Sequence, residues 1–331
     1  MKRLPNCLID LHLHLDGSLS PQNVRKLAEM QGISIPSDEQ ELLEQLTVGE
    51  HCPDLNTYLE KFAFPCKLLQ TEAGLTEAVS CLLEELAAEG LIYAEIRFAP
   101  QKSTDCGLTQ MQAAKAALAG LQGAKLKANL ILCCMRGDDN AAENLETVRV
   151  AKELLGQGVC AVDLAGAEAL FPTENFNDLF AYARELGVPF TIHAGEAAGA
   201  ESVETALRFG ASRIGHGVRS VENMDSLKKL ADTGIALELC PTSNLNTAVY
   251  PSLADYPLRE LWDAGVCVTI NTDNTTVSAT SLRREFALLT EEFNLTDAEI
   301  KQLCLNAAAA SFADADTKEL LREAIGTAFS K

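Results

Sequence analysis

The sequence predicts an α/β fold, a (β/α)8 TIM barrel with a helical insertion after strand 1 and a helical C-terminal tail. Three observations carry this expectation. Short apolar runs alternate with helical stretches along the 331 residues, and strands alternating with helices build a parallel sheet. Seven of the runs follow a helical stretch and then a glycine. Glycine is the usual left-handed cap of a helix because it has no Cβ to clash. With an opening run the strands number eight, and eight such units in one chain of this length close into a barrel. A doubly wound open sheet is the alternative.

The first strand is read at 8–14. Gly90 precedes 91–98, Gly123 precedes 128–135, Gly158 precedes 159–164 and Gly187 precedes 188–193. Gly210 then leads to 213–216, Gly234 to 235–240 and Gly265 to 266–271. The insertion, 18–90, reads as helical. Ser20 and Pro21 suit an N-cap followed by proline at the first helical position, and Ser37 with Gln40 suits a capping box. Its Leu55, Tyr58, Phe62 and Phe64 either cover a pocket or form ordinary helix core. Residues 241–256 read as a long loop after the seventh strand. In a barrel both segments sit on the catalytic face. Beyond Asn271 the chain reads as helical, with Thr296 and Glu299 as a further capping box. No linker interrupts it, so 1–331 is expected to be a single domain.

A hydrophobic fraction of 47% is ample for a core. Lys+Arg 27 against Asp+Glu 47 gives a net charge of −20, which repels nucleic-acid phosphates and anionic membranes, so neither is an expected partner. Residues 1–7 hold no signal-peptide core, and no run is long enough to span a bilayer, so a cytoplasmic location is expected. The eleven cysteines are an odd number. Cys133, Cys134, Cys160, Cys240 and Cys267 lie in or beside apolar runs and read as small buried hydrophobes in a reducing compartment. No pair has the C-x-x-C spacing, which argues against a zinc ribbon and against nucleobase deaminases of the H-x-E, P-C-x-x-C type.

Four of the five histidines fall at C-terminal ends of expected strands: His12 and His14 on the first, His193 on the fifth, His216 on the sixth. Asp273 directly follows the eighth, and only His51 lies elsewhere. In a barrel these ends converge on one mouth. His12 and His14 are two residues apart and so face the same way. With His193 and Asp273 they make a nitrogen-and-oxygen donor set without sulfur, suited to zinc and compatible with iron, manganese or cobalt. A metal there lowers the pKa of bound water to roughly 7. Glu196, one tight turn beyond His193, and His216 remain to handle protons. The set suits metal-assisted hydrolysis; the residues alone do not name a substrate.

Several motifs together resemble the adenosine deaminases, within the metal-dependent amidohydrolase superfamily. They are Asp10-Leu-His-Leu-His-Leu-Asp-Gly-Ser18, Asp163-Leu-Ala-Gly166, His193-Ala-Gly-Glu196, Gly215-His-Gly217, Cys240-Pro-Thr-Ser-Asn244 and Asn271-Thr-Asp273. They stand in family order from strand one to strand eight, and 306–312 in the tail is similar too. The resemblance implies one Zn2+ per chain on His12, His14, His193 and Asp273, and hydrolytic deamination of adenosine and 2′-deoxyadenosine to inosine and 2′-deoxyinosine. Glu196 matches the residue that donates a proton to purine N1. His216 matches the one that orients the attacking water and takes up its proton or stabilises its charge. Asp273, besides binding metal, can accept a hydrogen bond from that water. His14, Asp16, Gly166 and Asn274 fall on the substrate side, with Asp16 at the ribose hydroxyls and the Gly166 N–H at purine N3. Leu55, Tyr58 and Phe62 align with an apolar lid. The expected partner is a small purine nucleoside, bound by a monomer or weak homo-oligomer.

Each assignment has a plainer counterpart. Asp16-Gly17 also reads as a turn after a strand, Gly166 as a turn glycine, and Arg97 as half of a buried ion pair. The chain departs from the family at Ala167 and at Asn274-Thr275, where aspartate and Asp-Pro are usual. Both departures touch the purine side and leave free adenine or a modified aminopurine as alternative substrates. A nucleoside-binding relative without turnover should have lost Glu196 or a ligand, and none is lost. A phosphoesterase should show more ligands and a basic residue near the site, which the sequence does not place.

Overall fold

The apolar runs form eight parallel strands in the computed structural model, which describes residues 4–49 and 52–330. They are β1 (Leu8–His14), β2 (Leu91–Phe98), β3 (Lys127–Met135), β4 (Val159–Ala165), β5 (Thr191–Ala194), β6 (Arg213–His216), β7 (Ala236–Leu239) and β8 (Val268–Ile270). β1 to β4 pair in order as one sheet and β5 to β8 as another. Parallel bridges join the sheets at both edges, Val162 with Phe190 and Leu13 with Asp273. At the second seam the His14 N–H donates to the Asp273 carbonyl and the Asp273 N–H to the His12 carbonyl, each at 2.8 Å. The strands therefore follow one another round in sequence order with β8 back beside β1, as in a TIM barrel and unlike an open doubly wound sheet.

The seven glycines before strands all have positive φ, from 66° at Gly187 to 107° at Gly158. Strand limits shift where chemistry requires it. β5 begins at Thr191, because Pro189 has no N–H to give a ladder; its carbonyl accepts from the Val162 N–H at 3.0 Å instead. β7 and β8 are each shorter at both ends than expected.

The insertion is helical, with helices Pro21–Gln31, Glu39–Leu46, Leu55–Leu59, Pro65–Leu68 and Glu72–Ala88. Ser20 caps the first, accepting from the Asn23 N–H at 3.2 Å. The second is not opened by a Ser37–Gln40 box. Asp38 is its cap and accepts from the Glu41 N–H at 3.0 Å; a carboxylate one residue further on caps as well and adds charge complementary to the helix dipole. His51 lies outside the described residues. The segment 241–256 is more ordered than a loop: Pro241 starts a short helix, Pro241–Asn246, at the position where a missing N–H costs nothing. The tail forms helices Leu282–Phe293, Asp297–Ala310 and Ala315–Ala328.

The inside of the barrel carries charge. Arg97 on β2 bonds to Glu238 on β7 at 2.9 Å and to Asp163 on β4 at 3.1 Å. Arg213 on β6 bonds to Glu238 at 2.6 Å and to Glu95 on β2 at 2.7 Å. β2 with β7, β2 with β4 and β6 with β2 are not neighbours and touch only across the interior, and all five side chains are essentially inaccessible. Arg97 is thus the buried ion-pair residue that its sequence position suggested. All eleven cysteines are free, with Cys133, Cys134, Cys160 and Cys240 buried. No described helix is long and apolar enough to cross a membrane.

Candidate active site

The strand-end histidines meet. His12 Nε2 lies 3.0 Å from His193 Nε2, and His14 Nε2 lies 3.2 Å from the same atom. Asp273 Oδ1 stands 3.4 Å from His12 Nε2 and 3.3 Å from His14 Nε2. Ligands 2.0–2.1 Å from a tetrahedral ion stand about 3.3 Å apart, so these spacings fit donors around one metal. His216 is close as well: donor atoms of His12, His193, His216 and Asp273 lie within 4.8 Å of one another. His14 Nε2, 3.2 Å from His193 and 3.3 Å from Asp273, stands against the same donors, so both His14 and His216 border the point on which His12, His193 and Asp273 converge.

The surroundings prepare the donors. His12 Nδ1 is 2.7 Å from Glu238 Oε2, and His193 Nδ1 is 2.9 Å from Asp163 Oδ2. With Nδ1 occupied by a carboxylate, each ring turns a free Nε2 lone pair to the common point, the arrangement usual for metal-bound histidine. Burial, helped by Arg97, lowers the His12 pKa to about 4, and burial pushes His14 well down, so burial opposes a proton on either ring. Burial also opposes charge on His193, but the Asp163 carboxylate outweighs it and the pKa is raised. Asp273 is held well below the carboxylate range against the cost of burial, through His12, His14 and His216. Its Oδ2 accepts from Ser243 Oγ at 2.6 Å.

Local backbone follows from the same crowding. His216 and Asp273 have φ of 57° and 63°, conformations that cost energy in non-glycine residues and gather at functional sites. A Cβ on Gly215 would fall 3.0 Å from His12 Cε1 and 3.2 Å from His193 Cα, so the glycine gives the His12 ring its place. His216 Nδ1 is 3.0 Å from Asn244 Nδ2, whose amide oxygen accepts from Tyr256 Oη at 3.1 Å.

Beside the donors lies a cavity of about 370 Å³, lined by His14, Asp16, Gly166, Glu196, His216 and Asn274 among others. Every residue expected to act on or hold a substrate is therefore on one wall system. Glu196 is buried; its Oε1 accepts from Thr247 Oγ1 at 3.2 Å and its Oε2 lies 3.6 Å from His216 Nε2. Burial raises its pKa, so it holds its proton better than an exposed carboxyl. Asp16 Oδ1 is buried without a hydrogen-bond partner, and burial lifts the Asp16 pKa to about 6. Leu55, Tyr58 and Phe62 line the outer wall, and the Phe62 ring sits 6.4 Å from that of His14. Phe64 does not line it and packs on the core. Lys102, exposed at the rim, is a basic residue at the site that the sequence reading did not place.

Sequence reasoning also missed the supports. Glu238, the partner of His12, had one legible signal, a carboxylate within the apolar run Ala236–Leu239. Ser243, Asn244 and Asp163 lay inside quoted motifs without a role. Glu168 had no signal at all.

The family model for adenosine deaminase matches residues 7–328. The adenosine deaminase of Haemophilus ducreyi is 51% identical over 323 residues, covering 95% of this chain and 94% of that protein. The crystal structure of an adenine deaminase from Arthrobacter aurescens superposes with a TM-score of 0.89 at 29% identity, covering 99% of this chain and 100% of that one. An amidohydrolase from Burkholderia ambifaria, solved with bound Zn, gives a TM-score of 0.86 at 26% identity, covering 99% and 91%.

Proposed function

Because the chain belongs to the adenosine deaminase family, we propose that it hydrolyses adenosine and 2′-deoxyadenosine at C6, giving inosine or 2′-deoxyinosine and ammonia as a purine-salvage reaction. The observation that carries this is the buried Glu196 in the same cavity as His14, His193, His216 and Asp273. His12, His14, His193 and Asp273 would hold one zinc ion per chain, a choice supported by the all-N,O donor set and by the Zn of the Burkholderia structure. When bound, zinc supplies activated water at neutral pH.

The chain's own residues do the rest. Glu196 gives its proton to purine N1, which lets the ring accept electron density as C6 becomes tetrahedral. His216, held by Asn244, orients the water and takes up its proton or steadies its charge. The unpaired Oδ1 of Asp16 accepts from a ribose hydroxyl, and the Gly166 N–H meets N3. Leu55, Tyr58 and Phe62 cover the purine and exclude bulk water. Residues 1–331 act as one domain, as a cytoplasmic monomer or weak homo-oligomer on a small nucleoside. The net charge of −20 supports the absence of nucleic-acid and membrane partners.

A second reading, free adenine as substrate, is favoured by the likeness to the Arthrobacter adenine deaminase. The buried, unpartnered carboxylate oxygen of Asp16 argues for the nucleoside, since adenine has no hydroxyl to satisfy it. The deciding measurement is ammonia release from adenosine and from adenine, with and without a chelator. Faster release from adenosine, lost on chelation, is expected. No release from adenosine, or full turnover in rigorously metal-free protein, would overturn the proposal.

A further inference from the structure

We infer that Glu168 is a positioning residue for the proton donor: it gathers the backbone N–H groups of 195–198 and so fixes where Glu196 presents its proton. The inference rests on the reading of Glu196 given above.

The turn after β5 has its N–H groups facing inward. Gly195, with φ of 71°, begins it, and a Cβ there would lie 2.5 Å from Val203 Cγ2, so only glycine fits. Successive N–H groups pointing into one concavity form an anion site. Here the anion is part of the chain. Glu168 Oε1 accepts from the Gly195 N–H at 2.8 Å and from Ser202 Oγ at 2.5 Å. Its Oε2 accepts from the N–H groups of Glu196, Ala197 and Ala198 at 3.1, 2.7 and 2.9 Å. The side chain is buried, 1% exposed, and does not line the cavity. It therefore touches neither substrate nor metal donors and acts through the turn.

The other end of the turn is tied to the same network. Ser202 Oγ lies 2.7 Å from Thr173 Oγ1, which accepts from Arg136 Nη2 at 3.0 Å, and that nitrogen also donates to the His193 carbonyl at 2.6 Å. Arg136 thus holds the backbone at the metal-ligating position, and Glu168 holds it at the acid. Between them they set the separation of His193 and Glu196. The Glu196 side chain has little else to hold it: one hydroxyl donor at 3.2 Å and His216 at 3.6 Å. Misplacing a reacting group by about 1 Å can cost on the order of 10²-fold in rate. Glutamine at 168 keeps the volume but replaces one acceptor oxygen with an amide that cannot accept, so one side of the turn loses its partner.

The test compares wild type, Glu168→Gln, Glu168→Asp, Glu196→Gln and the Glu168→Gln/Glu196→Gln double variant. The readouts are kcat and KM for adenosine, zinc content and amide hydrogen exchange across 193–199. Glu168→Gln should lower kcat roughly 10–100-fold, with zinc content and KM held within about threefold and exchange of 195–198 accelerated. Glu168→Asp, which keeps the carboxylate on a shorter arm, should recover part of the rate. Once Glu196 is glutamine, adding Glu168→Gln should change the residual rate less than about threefold, because a positioner has nothing left to position. An equal fold-loss in both backgrounds, or a loss that tracks zinc release, would overturn the inference. If wild type releases no ammonia from adenosine, the functional reading falls. The exchange data then decide separately, since unchanged protection of 195–198 in Glu168→Gln shows that the carboxylate does not hold the turn.

Discussion

Asn274 is one of the positions at which the sequence reading finds a departure from the adenosine deaminase motifs, and its packing bears on what it offers a purine. Its Oδ1 is buried without a hydrogen-bond partner and lies against Gly17, where a Cβ would come within 1.8 Å of it. The residue lines the cavity, and its amide N–H₂ is a donor at any pH, whereas an aspartate must be protonated to give a proton to N7. Wild type should therefore prefer adenosine to 7-deazaadenosine, and Asn274→Ala should lose most of that preference. A buried donor without its acceptor costs roughly 1–3 kcal/mol, visible as a change in the kcat/KM ratio. Equal preference in both proteins would show that Asn274 does not read the purine. Glu196 allows a second test at this scale. Glu196→Gln should keep the metal and still bind a purine nucleoside, while kcat drops by ~10²–10⁴-fold, the range for a general acid. Near wild-type turnover would mean that another group supplies the proton.

At the level of elements, the caps show how sequence becomes structure. Thr296 and Glu299 form the expected box: Thr296 Oγ1 accepts from the Glu299 N–H at 3.2 Å, and Glu299 Oε2 accepts from the Thr296 N–H at 2.7 Å. Thr296→Ala should cost about 1 kcal/mol in chemical denaturation. The Arg259 side chain and the Thr296 cap depress Glu299 to about 2 from the ordinary 4.5 of a glutamate. A depressed carboxyl stabilises the fold above its unfolded pKa and loses that contribution as pH falls through the folded one. Glu299→Gln should thus be less stable than wild type at pH 6, and the gap should close between about pH 4.5 and pH 2; a gap independent of pH would exclude the charge as its cause. The caps at Ser20 and Thr296 were legible because hydroxyl, proline and glutamate stand at fixed offsets. Asp38 displaced Ser37 because two adjacent residues could each cap, and the choice depends on how the preceding turn packs. The strand-end histidines and Asp273 were legible from register alone. Glu238 showed only as a carboxylate in an apolar run, since its role depends on which strands face each other across the barrel, and Glu168 did not show at all, since its role depends on how the loop after β4 meets the turn after β5.

On the scale of the whole molecule, the barrel consists of two four-stranded sheets joined by isolated bridges, and the site draws on both sheets. His12 and His14 belong to β1 of the first sheet, while His193 on β5 and Asp273 beyond β8 belong to the second. A metal on these donors would be a clasp between the halves as well as a reagent. The charged layer beneath gives the clasp a firm seat, because Glu238 and Asp163 bond to Arg97 on one side and to His12 and His193 on the other. Such buried pairs add little net stability but fix geometry, and removing one partner costs ~3–5 kcal/mol. A ligand that binds only the folded state stabilises it by RT ln(1 + [L]/Kd), about 4.1 kcal/mol at a thousandfold excess over Kd. Chelation should therefore lower the melting temperature as well as the activity, and added zinc should restore both, with the melting temperature rising further as free zinc increases. His193→Ala removes a donor from the second sheet and should leave a protein that is inactive and whose melting temperature no longer follows zinc. Differential scanning calorimetry alongside metal analysis checks this. A melting temperature unchanged when analysis shows the metal gone would mean that the bridges and the charged layer alone hold the halves together, and that the metal serves the chemistry only.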